Sequence, residues 1–484
     1  MLDTDLPAVS ARIGPVSTFT SSQTLPPDIR MKPGTKRPDG PSFWPRLLRG
    51  EVFRRNSALW MIENQRLYGD LVYFESLGVK VLQFNHPDLV QEMLVRDAPH
   101  HHRNLVMKRT KMVLGEGLLT SEEPLHMRQR RLAQPAFHRQ RIHAYGEVIT
   151  HYTALMTSGW QTGAVIDVHA EMLLLALRIV GKTLFDTDVE GEVHKISAAV
   201  DAFMGFMPLA FLPFPELIQK LPVPSMRRIR EGRAGLDALI YKMIRERRAD
   251  PEDRGDLLSM LLASVDAEAS AAAGHEVRMS DRQVRDECLT VLLAGHETTA
   301  NALSFALRLL ADHPETQEAL FVESKRVLGD RAATADDYGQ LGLAERVFAE
   351  ALRLYPPVWV TARTAAETYE YRGFTVRKGT ILVAPQFVVH RDPRYWDDPE
   401  RFDPDRFLPE AKARRPRYAY FPFGAGSRQC IGEGLAWMEG VLALATIVQR
   451  WRLLPTEAGP IETSPSITLR PKGKVMLRVK RRES

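Results

Sequence analysis

The run Phe421-Pro422-Phe423-Gly424-Ala425-Gly426-Ser427-Arg428-Gln429-Cys430-Ile431-Gly432 constrains this chain more than any other feature. A cysteine that serves as a thiolate ligand needs its negative charge stabilised, and glycines let backbone N–H groups approach a sulfur closely. Gly424, Gly426 and Gly432 supply that freedom around Cys430, Phe423 offers a flat apolar wall against water, and Arg428 lies two residues from the thiol, within reach of an anionic group beside it. The other reading, a free thiol packed in a glycine-rich turn, uses the same residues. The chain has only one more cysteine, Cys288, which is expected in the core. Two cysteines exclude a disulfide framework, a four-cysteine zinc site and a conventional iron–sulfur centre.

The rest of the chain is consistent with a large soluble protein. It has 484 residues, 44% hydrophobic and 26% charged, enough to bury a core without staples. The net charge of +5 is too small and too dispersed to argue for nucleic acid. No apolar leader opens the chain, and its best apolar stretch, Phe203 to Phe214, is interrupted by Gly205, Pro208 and Pro213, so no transmembrane anchor is expected. Free thiols without a leader point to a reducing, cytoplasmic setting. The first forty residues read as a flexible arm and 41–484 as one integrated domain, without repeats or linkers. Two β-rich pieces, 71–74 and 79–82, precede an overwhelmingly helical stretch from about 123 to 328. Strand signals return at 369–371 and 381–383, and a helix over 435–451 leads to a strand-like tail at 475–479. The fold class expected is mainly α with a smaller β-rich part.

The spacing Phe423-Gly424-x-Gly426-x-Arg428-x-Cys430-x-Gly432, continued by Ala436 and Glu439, resembles the haem-binding loop of the cytochrome P-450 family. The resemblance implies haem b (iron protoporphyrin IX) with Cys430 as axial iron ligand, whose thiolate donates electron density that favours O–O cleavage. Three further motifs follow the family's order. Glu350-x-x-Arg353 places acid and base on one helix face, and with Arg401 of Pro399-Glu400-Arg401-Phe402 it would form a buried charge network supporting the cysteine loop. Ala294-Gly295-His296-Glu297-Thr298-Thr299, inside the helical stretch 284–310, resembles the oxygen-binding helix. A helical threonine can bond back to the i−4 carbonyl and open a polar notch. Carried over, Thr298 would hydrogen-bond the activated oxygen and Glu297 would relay protons through water. His126 and Arg130, at i and i+4, resemble the residues that reach the haem propionates, and Arg363 is a further propionate partner. His100-His101-His102 is not expected to be a metal site, since adjacent side chains point different ways, and His296 is expected to pack or hydrogen-bond.

Leu293, Ala294, Val358, Trp359, Val360 and Phe206 are expected near an apolar substrate, with the Met- and Phe-rich segment 203–224 as an adaptable lid that also offers peripheral membrane contact. A fatty acid is the favoured substrate, with terpenoid and polyketide scaffolds close behind. No flavin or nucleotide domain is present, so a monomeric monooxygenase would use O2 and take electrons from NAD(P)H through a ferredoxin or flavodoxin with its reductase. Lys412, Arg414, Arg415 and Arg417 offer a docking face for such an acidic donor. The alternative is a haem-thiolate sensor, which gives no reason for the Glu297–Thr298 pair.

Overall fold

The computed structural model describes residues 26–42, 56–76, 78–103, 105–186, 224–250 and 252–483. Its principal helices are α1 Ser57–Tyr68, α2 Leu125–Ala133, α3 Arg139–Ser158, α4 Val168–Phe185, α5 Pro224–Ala249, α6 Asp281–Asp312, α7 Pro314–Leu328, α8 Gly342–Leu354 and α9 Glu433–Arg450. Their ends follow local chemistry. Asn56 accepts the Ala58 N–H at 3.0 Å to cap α1, Asp167 accepts from His169 to cap α4, and Ser280 accepts from Gln283 to cap α6, each satisfying a donor that a helix start leaves open. Pro314 opens α7, where its missing N–H costs nothing.

Among the described residues the strands fall into four sheets. Strands β1 Leu71–Ser76 and β2 Val79–Phe84 form the hairpin expected from the sequence. They continue into a five-stranded sheet of order β1-β2-β8-β5-β3, built with β3 His101–Arg103, β5 Thr361–Ala365 and β8 Ile381–Ala384. Sheet order thus brings residue 103 opposite residue 363. Strand β4 Val165–Asp167 joins β9 Trp451–Pro455 and β12 Met476–Arg481, while β6 Tyr369–Tyr371 with β7 Phe374–Val376, and β10 Thr463–Pro465 with β11 Leu469–Pro471, are two-stranded ribbons. The expected tail strand is β12 and the expected closing helix is α9. Strands β3, β4, β5, β7, β10 and β11 were not expected from the sequence.

Helix α6 runs through the centre, packed on α4, α5, α8 and α9. Gly295 is required there by close approach: a Cβ would lie 2.9 Å from Val180 Cγ2 of α4. The N-terminal segment departs from the expected flexible arm over its described part. Asp28 and Asp70 exchange two bonds, the Asp28 N–H to Asp70 Oδ2 at 2.7 Å and the Asp70 N–H to Asp28 O at 2.8 Å, and Tyr73 N–H donates to Asp39 O. These bonds lace residues 28–39 onto β1. Phe206 and nearly all of the expected lid lie outside the described residues.

Candidate active site

Cys430 sits at the end of a tight loop immediately before α9. Gly424 and Gly426 hold φ of +74° and +72°, the left-handed region that side chains disfavour, and a Cβ on Gly426 would also run into the carbonyl of Leu94. Cys430 N–H donates to Phe423 O at 3.0 Å, closing the loop. Gly432 has ordinary backbone angles and caps α9. Its N–H donates toward the Cys430 sulfur and favours the thiolate, while burial pushes the thiol up to about 11. Yet Cys430 retains open surface. The site therefore offers a thiol that a bound cation must deprotonate, with a helix N-terminus behind it. Phe423 is half-buried and packs on Trp437, centroids 5.8 Å apart.

A group of basic side chains gathers around Glu122 and Glu123. Arg428 donates to Ser121 O at 2.8 Å and to Glu122 Oε2 at 3.3 Å. His126 shares a 2.8 Å hydrogen bond with Glu123 Oε1, and burial with the nearby Arg428 lowers its pKa to about 4, so the ring is neutral at pH 7. Arg363 is buried, donates to Ala362 O, and is lowered to about 10 by burial and by Arg428. Arg103, which the sequence reading missed, is its cross-strand partner. Burial, then Arg363 and Arg428, hold Arg103 well below its ordinary value, and its buried Nε has no hydrogen-bond partner. Like charges directly opposite across strands are unfavourable unless something anionic lies between them. This excess of donors fits the paired carboxylates of haem b. Arg130 donates to Gln429 O at 2.7 Å, between Arg428 and the thiol in sequence.

Helix α6 carries the residues that resemble the oxygen-binding helix. Ala294 is exposed and Leu293 and Thr298 are half-buried on a helix whose other residues are mostly buried. Thr298 Oγ1–H donates to Ala294 O at 2.6 Å, the i−4 back-bond expected of it. Glu297 turns away from that face and accepts a 2.8 Å bond from Thr468. His296 bonds Leu173 O on α4, and Cys288 is buried in the core.

Two expected roles move to other residues. Glu350 and Arg353 are fully buried and paired by two bonds of 2.6 and 2.8 Å, but Arg401 does not join them. Its side chain is 61% exposed and pairs with Asp398 and Asp403, and only its carbonyl meets Arg353. Buried Arg406 approaches Glu350 instead, at 3.5 Å. The sequence carries the signal twice, as Pro399-Glu400-Arg401-Phe402 and Pro404-Asp405-Arg406-Phe407, and the second copy is the one that turns inward. Arg415 likewise leaves the expected docking face: it donates to Arg406 O and lies 4.1 Å over the Trp396 ring, leaving Lys412, Arg414 and Arg417 exposed. Of the expected pocket residues, Trp359 is 7% exposed and packs with Met61, Phe387 and Leu469, its Nε1–H donating to Ser466 O. It is a core residue. Val358 is exposed and Val360 is half-buried. His100 and His101 are spent on Glu367, Met93 O and Tyr369.

Comparison with known proteins agrees with this geometry. The family model for cytochrome P450 matches residues 38–478. The chain is 40% identical to cyclooctatin synthase of Streptomyces melanosporofaciens, over 83% of this chain and 87% of the relative. It is 34% identical to pentalenene oxygenase of Streptomyces avermitilis, over 83% and 88%. A crystal structure of a cytochrome P450DA heme-domain variant superposes with a TM-score of 0.80 at 27% identity, covering 92% of this chain and 98% of that one. The family model spans nearly the whole chain and the relatives share 34–40% of its residues, so the chain belongs to the cytochrome P450 family as a haem-thiolate monooxygenase.

Proposed function

We propose that this monooxygenase inserts an oxygen atom into a terpenoid, by hydroxylation or epoxidation, with electrons passed from NAD(P)H through a separate ferredoxin or flavodoxin and its reductase. The observation that carries the substrate class is the pair of relatives above, named for cyclooctatin and pentalenene. The site supports it. The described wall on α6, Leu293, Ala294 and Thr298, is apolar apart from one hydroxyl. Arg428 and His126 bond Glu122 and Glu123, and with Arg103 and Arg363 they would be taken up by the cofactor's carboxylates, which would leave none of them to hold a fatty carboxylate. The preference therefore moves from fatty acids to terpenoids.

When bound, haem supplies a thiolate-ligated iron at which O2 is activated. The chain's part is positional. Cys430 would give the sulfur, the basic cluster would fix the ring's carboxylates, and Ala294 leaves space on the opposite wall. Thr298 holds a proton at that wall on a hydroxyl free to rotate off Ala294 O, and Glu297, one residue earlier, carries protons inward. Lys412, Arg414 and Arg417 would steer an acidic donor toward the thiolate side. The enzyme would act as a monomer in a reducing cytoplasm, where Cys288 and Cys430 stay unpaired.

The test is a titration of the ferric holoenzyme with terpenoid hydrocarbons and with fatty acids, read at the Soret band, followed by turnover with surrogate donors. The expected result is a saturable spin-state shift and oxidised product with terpenoids, and product lost in Thr298→Ala. Shift and product with fatty acids alone would overturn the substrate class.

A further inference from the structure

We propose that Thr468 is a positioning residue for Glu297, holding the carboxylate that carries protons to the reaction. The inference rests on the reading of Glu297 given above and adds the group that sets its position. Thr468 lies on the turn between β10 and β11, 171 residues from Glu297 in sequence, and its hydroxyl donates to Glu297 Oε1 at 2.8 Å. Both side chains are nearly buried, so the bond faces little competition from water. Asn301, one turn further along α6 and fully buried, offers its Nδ2–H to Thr468 Oγ1 over a long 3.5 Å. That donation occupies a lone pair of the hydroxyl and leaves its proton for Glu297.

The turn cannot drift. Ser466 N–H donates to Thr468 O at 3.0 Å and Leu469 N–H to Pro357 O at 2.8 Å. Trp359 Nε1–H donates to Ser466 O at 2.8 Å. The hydroxyl is therefore fixed to the segment that follows α8, and Glu297 is aimed from outside its own helix. A carboxylate with several rotamers loses rate whenever it points elsewhere, and a donor fixed by its surroundings removes that loss.

The test compares Thr468→Val, Thr468→Ser and Glu297→Gln in the holoenzyme with substrate and surrogate redox partners. Valine keeps the shape and removes the donor. The expected result for Thr468→Val is an about tenfold loss of product formed per NAD(P)H, in line with losing a hydrogen bond to a charged group. A larger solvent isotope effect on product formation should accompany it, with the midpoint of the substrate-induced Soret shift unchanged. Serine should restore both. The infrared carboxyl band assigned to Glu297 by its loss in Glu297→Gln should move in Thr468→Val, and the double variant should be no slower than Glu297→Gln. A normal isotope effect and an unmoved band in Thr468→Val, with Glu297→Gln impaired, overturn the positioning role alone. An unimpaired Glu297→Gln overturns the proton-carrying reading of Glu297, and this inference with it.

Discussion

Glu350 and Arg353 have no contact with solvent, so removing either charge leaves the other in a medium that cannot hydrate it. The arginine also donates to the carbonyls of His390, Pro399 and Arg401, which ties α8 to the loops that precede the cysteine. Arg353→Leu is therefore expected to cost about 3–5 kcal/mol. Arg406→Ala should cost measurably less, because its contact with Glu350 is longer. Arg401→Ala should stay within about 0.5 kcal/mol, since its pairs are exposed and screened. Urea midpoints at constant slope decide the order, and an Arg401→Ala cost equal to that of Arg406→Ala would reverse the assignment. The comparison also marks what a sequence can show at this scale. Cys430 was legible because the loop chemistry is contiguous over twelve residues. The third member of the charge network was not, because two Pro-acid-Arg-Phe runs five residues apart differ only in which arginine the chain turns toward α8.

Among elements, the helical stretch and the closing helix were readable from their 3.6-residue spacing, and α6 appears over nearly the span expected. The contacts that α6 makes with loops were not, since they depend on single side chains crossing between distant segments. Glu287 is one of these. It is buried on α6 and accepts the Leu118 N–H at 2.9 Å, while neighbouring Asp286 accepts from Glu116 and pairs with Arg285. The loop 116–118 is thus clasped to the helix through two carboxylates. Burial, countered in part by the Leu118 bond, pushes Glu287 up to about 8 from an ordinary value near 4.5. The folded chain then holds a proton that the unfolded chain has already lost between those values. Stability must fall as pH rises through that window and level off above about 8. Glu439 on α9, buried with one oxygen unpartnered and also raised to about 8, adds to the same slope. Urea unfolding at pH 5.5 and 8.5 should show that Glu287→Gln, which keeps an oxygen for Leu118, loses less stability than the parent across the interval. Equal losses would mean that the clasp is ionised throughout.

Over the whole molecule, the basic cluster exists only because the sheet order brings β3 against β5 and the cysteine loop returns beside them. Arg103, Arg363 and Arg428 come from three widely separated parts of the chain, with Arg103 and Arg363 as direct cross-strand partners. Nothing local predicts this. The cross-strand pairing of two arginines is visible only once the sheet is assembled. The physical consequence concerns folding and cofactor retention together. Among the described residues, three buried guanidinium groups beside only two carboxylates, Glu122 and Glu123, oppose folding, and an anionic ligand that binds only the folded chain relieves them. Arg103→Leu should accordingly act in opposite directions on the two states. In the holoenzyme, transfer of haem to an acceptor protein should quicken about tenfold or more, matching the loss of one charge-assisted bond to a carboxylate. In the haem-free protein the same substitution should raise the thermal midpoint, because it removes a charge whose Nε has no partner. Arg401→Leu, remote from the cluster and exposed, is the matching control and should change neither. Faster haem loss together with a lower apoprotein midpoint would show that Arg103 serves packing rather than ligand charge, and unchanged haem loss would remove it from the cofactor site.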